Sequence, residues 1–95
     1  MRESAIEEKV VRHCHGRGLT AYKFSSPARR GVPDRLIVGM GKTLFLELKA
    51  TGEKPTALQL HELNKLCRHG MKATWCDSYE DAVAIIDEYF VEDLV

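Results

Sequence analysis

The sequence predicts an α/β fold: helix, three strands, helix, strand, helix, with one mixed sheet flanked by helices. Three observations predict it. Segments 3–16, 57–69 and 79–90 repeat apolar residues with a period near 3.6, as amphipathic helices do. Segments 19–24, 36–38, 44–49 and 71–76 are short runs of strand-forming residues between turn signals. The run Gly39-Met40-Gly41-Lys42 joins the second strand to the third as a hairpin turn. Ninety-five residues suffice for one domain, 1–95, with a single modest core.

The first helix has Ile6, Val10, Val11 and Cys14 as its apolar stripe. At 100° per residue, Glu3 and Glu7 fall inside that stripe. Carboxylates on a buried face want a reason. One is a capping box, Ser4 with Glu7. Another is that one carboxylate reaches a metal site. Gly16-Arg17-Gly18 ends the helix, and 19–24 forms the first strand. Residues 25–31 (SSPARRG) read as a loop, either an ordinary solvated one or a phosphate-binding one. Leu36, Ile37 and Val38 make the second strand apolar on both faces. Thr56 caps the second helix, whose inner face holds Leu63, Leu66 and Cys67. Gln59 lies in that stripe, three residues after the cap, where a capping box also explains it. The fourth strand follows a helical crossover and can pair parallel, with Trp75 in the core. Ser78 or Asp77 caps the last helix.

The chemistry gathers in residues 31–49. Asp34 opens the second strand, after Pro33. Glu47 and Lys49 end the third. With a period of two, both share one side of the strand, roughly 6–7 Å apart at Cα. A charged group in an apolar hairpin is costly unless compensated. Two readings compensate it. One is a salt bridge from Lys49 to Asp34 or Glu47. The other is a divalent metal held by Asp34 and Glu47, with Lys49 orienting a water or stabilising phosphate charge.

Pro33-Asp34 followed by Glu47-Leu48-Lys49 resembles the PD-(D/E)xK nuclease motif. Gly-Val-Pro-Asp, preceded by Ser25-Ser26-Pro27 and Arg29-Arg30 and followed by Gln59, resembles the virus-type replication-repair nuclease (VRR-NUC) family from about Glu3 to Asp77. The resemblance implies a restriction-endonuclease-like αβββαβ core, here with an additional C-terminal helix. It implies a Mg²⁺-dependent endonuclease, with Mn²⁺ substituting, acting on branched DNA such as four-way (Holliday) junctions. Glu3 or Glu7, Asp34, Glu47 and the Leu48 carbonyl would hold metal. Lys49 and Gln59 would serve the attacking water. Ser25, Ser26, Arg29, Arg30 and Arg35 would contact phosphates. The alternatives are a flap- or nick-directed nuclease, a non-catalytic nucleic-acid-binding module, and a metal-free interaction domain.

The even charge balance counts mildly against a DNA binder, though a local basic patch is what matters. Lys and Arg number 14, Asp and Glu 14. The balance is uneven: seven acids and no Lys or Arg follow from Asp77 onward. Such a tail would repel DNA, so a DNA surface belongs to the basic first half. Cys14, Cys67 and Cys76 form no CxxC pair, which argues against zinc or a disulfide framework. The run His13-Cys14-His15 puts adjacent side chains on diverging faces of a helix, not on one metal. No apolar run reaches membrane length, and no signal peptide is visible, so a cytoplasmic setting is expected, as for a phage- or prophage-encoded protein. The apolar end, Tyr89-Phe90-Val91 with Leu94-Val95, reads either as the lid of the core or as a dimer interface. The family resemblance tips this towards a homodimer.

Overall fold

The computed structural model describes residues 1–91. The chain runs α1 (Glu3–Gly16), β1 (Thr20–Lys23), β2 (Arg35–Gly39), β3 (Lys42–Leu48), α2 (Ala57–Arg68), β4 (Lys72–Cys76) and α3 (Tyr79–Tyr89). The expected α-β-β-β-α-β-α order is therefore present. The sheet order is β1-β2-β3-β4. The first two pairings are antiparallel and the last is parallel.

The hairpin turn needs positive φ at both central positions, and it has it: 52° at Met40 and 73° at Gly41. Paired positive angles give a turn whose twist matches the flanking strands. Glycine tolerates this; Met40 does so at a strain cost. The turn fixes the register, with Gly39 opposite Lys42 and Arg35 opposite Leu46. A slip of one residue would send Glu47 to the other face.

Alternation then sorts the strands. Ile37, Leu44, Leu46 and Leu48 are fully buried and pack against Ile6, Val10 and Cys14 of α1 and Ala82 and Ile86 of α3. Phe45 and Glu47 must point to the opposite face. There α2 lies beside β4, with Leu63 buried and the Cys67 thiol donating to the Ala73 carbonyl at 3.3 Å. That helix leaves part of the face over β1 and β2 open, so Leu36 and Val38 are only half-buried and Tyr22 is exposed. The expectation of a second strand buried on both faces is corrected by this one-sided cover. Trp75 is likewise half-buried rather than core. It lines a groove of about 420 Å³ with Asp77, Asp81 and Glu88, an acidic surface unsuited to a polyanion.

Side-chain caps were expected on all three helices, and two are present. Thr56 and Gln59 form the full capping box, and Ser78 accepts from the Asp81 amide. Helix α1 instead begins after Arg2, with no side-chain cap. Glu7 turns away to Arg35, 2.7 Å from Nη2 and 2.9 Å from Nε. Both nitrogens converge on one Glu7 oxygen, so a full opposite charge, and not only a backbone N–H, holds the carboxylate.

Phe90 settles part of the question raised by the C-terminal end. It is fully buried within the core cluster, with Tyr89 packed edge-on against it. Phe90 thus closes the monomer core and is not free for a partner. Leu94 and Val95 lie outside the described residues. Phe90→Ala is expected to cost about 3–5 kcal/mol. Urea denaturation at several protein concentrations checks this; a loss that appears only at concentrations where the protein self-associates would return Phe90 to an interface.

Candidate active site

The site forms where β2 begins and β3 ends. Asp34 precedes β2 by one residue, so it stands across from Glu47, one step beyond the Arg35–Leu46 pair. Two main-chain bonds fix it: its carbonyl accepts from the Phe24 amide at 2.8 Å, and its Oδ2 accepts from the Leu48 amide at 3.2 Å. Glu3 is the first residue of α1. The start of the chain is tied to the turn after β3, where the Thr51 amide donates to the Met1 carbonyl at 3.1 Å. That tie brings the beginning of a helix from the other face of the sheet to the same edge. Carboxylate oxygens of Glu3, Asp34 and Glu47 lie within 4.8 Å of one another.

Glu47 is the buried member, 1% exposed. Its Oε2 faces the Lys49 ammonium at 3.4 Å and accepts from the Gln59 amide nitrogen at 3.3 Å. Its Oε1 has no hydrogen-bond partner among the described residues. Burial, then the neighbouring Asp34, pushes the Glu47 carboxyl up to about 7, with Lys49 opposing. Burial and Asp34 also raise Glu3 above the usual carboxylate range. Crowded acids in a dry site resist ionising together. The salt-bridge and metal-site readings of Lys49 therefore share one geometry: it pairs with Glu47 and also borders the acidic cluster.

Gln59 makes the expected capping box and also reaches the acidic cluster. Its Oε1 accepts from the Thr56 amide at 2.9 Å, completing the cap. Its Nε2 is left to reach Glu47. The helix end and the acidic cluster are thus joined through one side chain.

Other expected site residues are placed differently. Of the two helix acids, Glu3 joins the cluster and Glu7 does not, because Arg35 holds it. Arg35 is committed to that pair, with Nη1 also 3.4 Å from the Ala21 carbonyl. Its strand position turns it towards α1, away from Glu47, so it does not stand with the loop arginines. Leu48 has a fully buried side chain and binds Asp34 through its amide. Ser25, Arg29 and Arg30 are exposed on the 25–31 loop, and Ser26 is half-buried there. A turn closed by the Arg29 amide and the Ser26 carbonyl, 3.2 Å apart, shapes that loop. Gly31, at φ 84°, lets the loop sit against α2: a Cβ there would meet the Leu58 carbonyl oxygen at 3.1 Å. The His13-Cys14-His15 run is no metal site: Cys14 is buried, and His13 contacts Asp87 at 2.8 Å, beside Arg17 at 2.7 Å.

One residue was missed by sequence reasoning. Glu62 is buried on α2 and accepts from Arg29 Nε at 2.7 Å. Its signal was present: it follows Gln59 by three positions, hence on the same helix face.

The donors suit a hard divalent cation. They are all oxygens, they converge, and one buried oxygen awaits a partner. Fold and site together define the class: a restriction-endonuclease-like α/β protein with an acidic cluster and a lysine at the mouth of its central hairpin. The chain is similar to two solved structures. One, described as a VRR_NUC domain, covers 93% of this chain and 97% of its own at a TM-score of 0.84 and 24% identity. The other, a VRR_NUC domain protein, covers 94% and 88% at 0.76 and 17%. The chain is 47% identical over 81 residues to "Putative nuclease p44" of Acyrthosiphon pisum secondary endosymbiont phage 1, spanning 84% of this chain and 87% of that one. No family model matches. On the relative and the shared fold, the chain belongs to the VRR-NUC family.

Proposed function

We propose that this protein is a metal-dependent DNA endonuclease that hydrolyses phosphodiester bonds in branched DNA, four-way junctions above all. The observation that carries the reading is the unpartnered, buried Oε1 of Glu47 among three converging carboxylates beside Lys49. Glu3, Asp34 and Glu47 would hold Mg²⁺, or Mn²⁺ in its place, with the Leu48 carbonyl as a further oxygen. When bound, the cation would acidify a water and offset charge on the scissile phosphate.

The remaining roles belong to side chains. Lys49 holds a positive charge and three donors beside Glu47, where it can orient a water or bind a phosphate oxygen. Gln59, locked by its cap, keeps Glu47 from turning away. The exposed Arg30 and Ser25 can bind flanking phosphates without reading sequence. The acidic groove beside α3 leaves the loop side for DNA.

The reading extends to assembly and place. Residues 1–95 act as one nuclease domain. Symmetric incision of a junction needs two sites related by a two-fold axis, which a homodimer supplies. With Phe90 in the core, the open sheet face around the exposed Tyr22 and the half-buried Leu36 and Val38 is one apolar surface that could serve it. No helix among the described residues is long and apolar enough to cross a membrane. A phage-type nuclease of this kind would act on DNA in the host cytoplasm.

The test is a panel of labelled four-way junctions, flaps, nicked and plain duplexes with Mg²⁺, Mn²⁺ or EDTA. Paired, symmetric nicks in the junction, absent in EDTA, are expected, with activity falling on dilution below the dimer dissociation constant. Cutting only at flaps or nicks would shift the substrate class. Binding without cutting in either metal would leave a non-catalytic module. Light scattering that gives a monomer with and without junction DNA would remove the dimer.

A further inference from the structure

A recess of about 280 Å³ opens between the 25–31 loop and α2. Phe24, Val32 and Leu66 give it apolar walls; Ser26, Arg29, Lys65 and His69 give it donors; Glu62 lies within it. It adjoins the acidic cluster through two links. The Phe24 amide binds the Asp34 carbonyl, and Glu62 lies one helical turn beyond Gln59, which binds Glu47.

The ion pair at its centre leaves donors facing outward. Glu62 is buried, yet its partner Arg29 is half-exposed. The carboxylate takes only the Nε edge of the guanidinium, at 2.7 Å. The two terminal nitrogens make no hydrogen bond among the described residues, so they can bind an anion. A guanidinium held from behind presents its outer donors as a fixed fork, and such forks match phosphate oxygens. Lys65 and Ser26 border the same opening.

We propose that this recess is a DNA-backbone subsite next to the cleavage site, in which Arg29 and Lys65 bind one phosphate and Glu62 is the positioning residue that aims Arg29. This rests on the nuclease reading above but does not depend on catalysis. The apolar walls give the attached nucleotide a dry surface. The recess is at the small end for ligand sites, enough for one nucleotide rather than a duplex.

The sign of one mutation separates positioning from plain electrostatics. Removing a carboxylate near bound DNA should tighten binding if only charge matters. If Glu62 aims Arg29, removing it should weaken binding although a negative charge has gone. The experiment is fluorescence anisotropy of a labelled four-way junction in EDTA, over a salt series, with no metal and no cleavage. Arg29→Ala and Lys65→Ala should each weaken binding about tenfold, and the two together should lower the salt slope by about 0.9, the value for one phosphate left unneutralised. Glu62→Leu should match Arg29→Ala, and the double variant should be no worse than either single one. Glu62→Gln keeps an acceptor for Nε and should bind within about twofold of the unsubstituted protein.

Tighter or unchanged binding by Glu62→Leu, with its circular dichroism intact, overturns the positioning role. Unchanged affinity and slope in both Arg29→Ala and Lys65→Ala overturn the subsite, whether or not Glu62→Leu folds. In either case the nuclease reading stands, since it is tested by cleavage in the panel above. Failure of the unsubstituted protein to bind the junction at all would remove both.

Discussion

Glu47→Gln is expected to abolish cleavage while making the metal-free protein more stable. Both effects have one cause. Glu47 is buried against Asp34, and its carboxyl sits near 7 instead of 4.5. Between those values the folded chain keeps a proton that the unfolded chain has released. Stability from this group is therefore present at low pH and falls as pH rises from about 4.5 to about 7, then levels off. The amide has no charge to desolvate, so the variant should not show that fall. At pH 8 it should gain on the order of 2 kcal/mol, roughly 10 °C in a domain of this size. Urea denaturation in EDTA from pH 4 to pH 8 checks the sign: a flat profile for the unsubstituted protein would refute the argument. Adding Mg²⁺ should reverse the ranking, because a cation bound only to the folded state stabilises it, and the variant lacks a ligand charge. Asp34→Asn should behave alike in cleavage. Turnover at the unsubstituted rate by either variant in saturating Mg²⁺ would end the catalytic assignment.

Lys49→Ala should lower turnover by about 10²–10³-fold, the scale for losing one donor aimed at developing charge. Binding of metal and DNA should persist, since the carboxylates and the loop arginines remain. Stability should change little below pH 7, where Glu47 can take up a proton in place of its lost counter-ion, and should drop above it. A purely structural ammonium predicts the reverse pattern: turnover kept, with a large loss of thermal midpoint at every pH. Single-turnover cleavage and melting of the same preparation distinguish the two.

Much of this site was legible in the chain. The period of two placed Glu47 and Lys49 on one side of a strand, and the glycine-rich turn set the hairpin that brings Asp34 opposite Glu47. Local chemistry also sufficed for Gln59: its distance from Thr56 gave the cap, and its place in the apolar stripe gave the inward direction. These features depend on neighbours in sequence or on one tight turn, so no long-range information was needed. The same holds for the helix and strand order, which follows from apolar periodicity and turn residues.

Only the tertiary structure could choose between Glu3 and Glu7. Both lie on the inner side of α1, and the capping rule favoured a role for Glu7 at the helix start. The decision came from Arg35, 28 positions away, whose strand face points at α1 and captures Glu7. For Glu62 the spacing from Gln59 gave the helix face but not the burial. An acid on a polar-looking helix is ordinary until the fold buries it, and its burial depends on a loop 33 positions earlier in the chain. Phe90 was ambiguous because an apolar chain end suits a core and an interface equally; the α1–α3 packing put it inside. The sequence by itself determined which groups could do the chemistry and which faces they occupy, because periodicity and turns are local. The fold decided which charges are neutralised by distant partners and which stay free to act, because pairing between remote side chains is a property of packing alone.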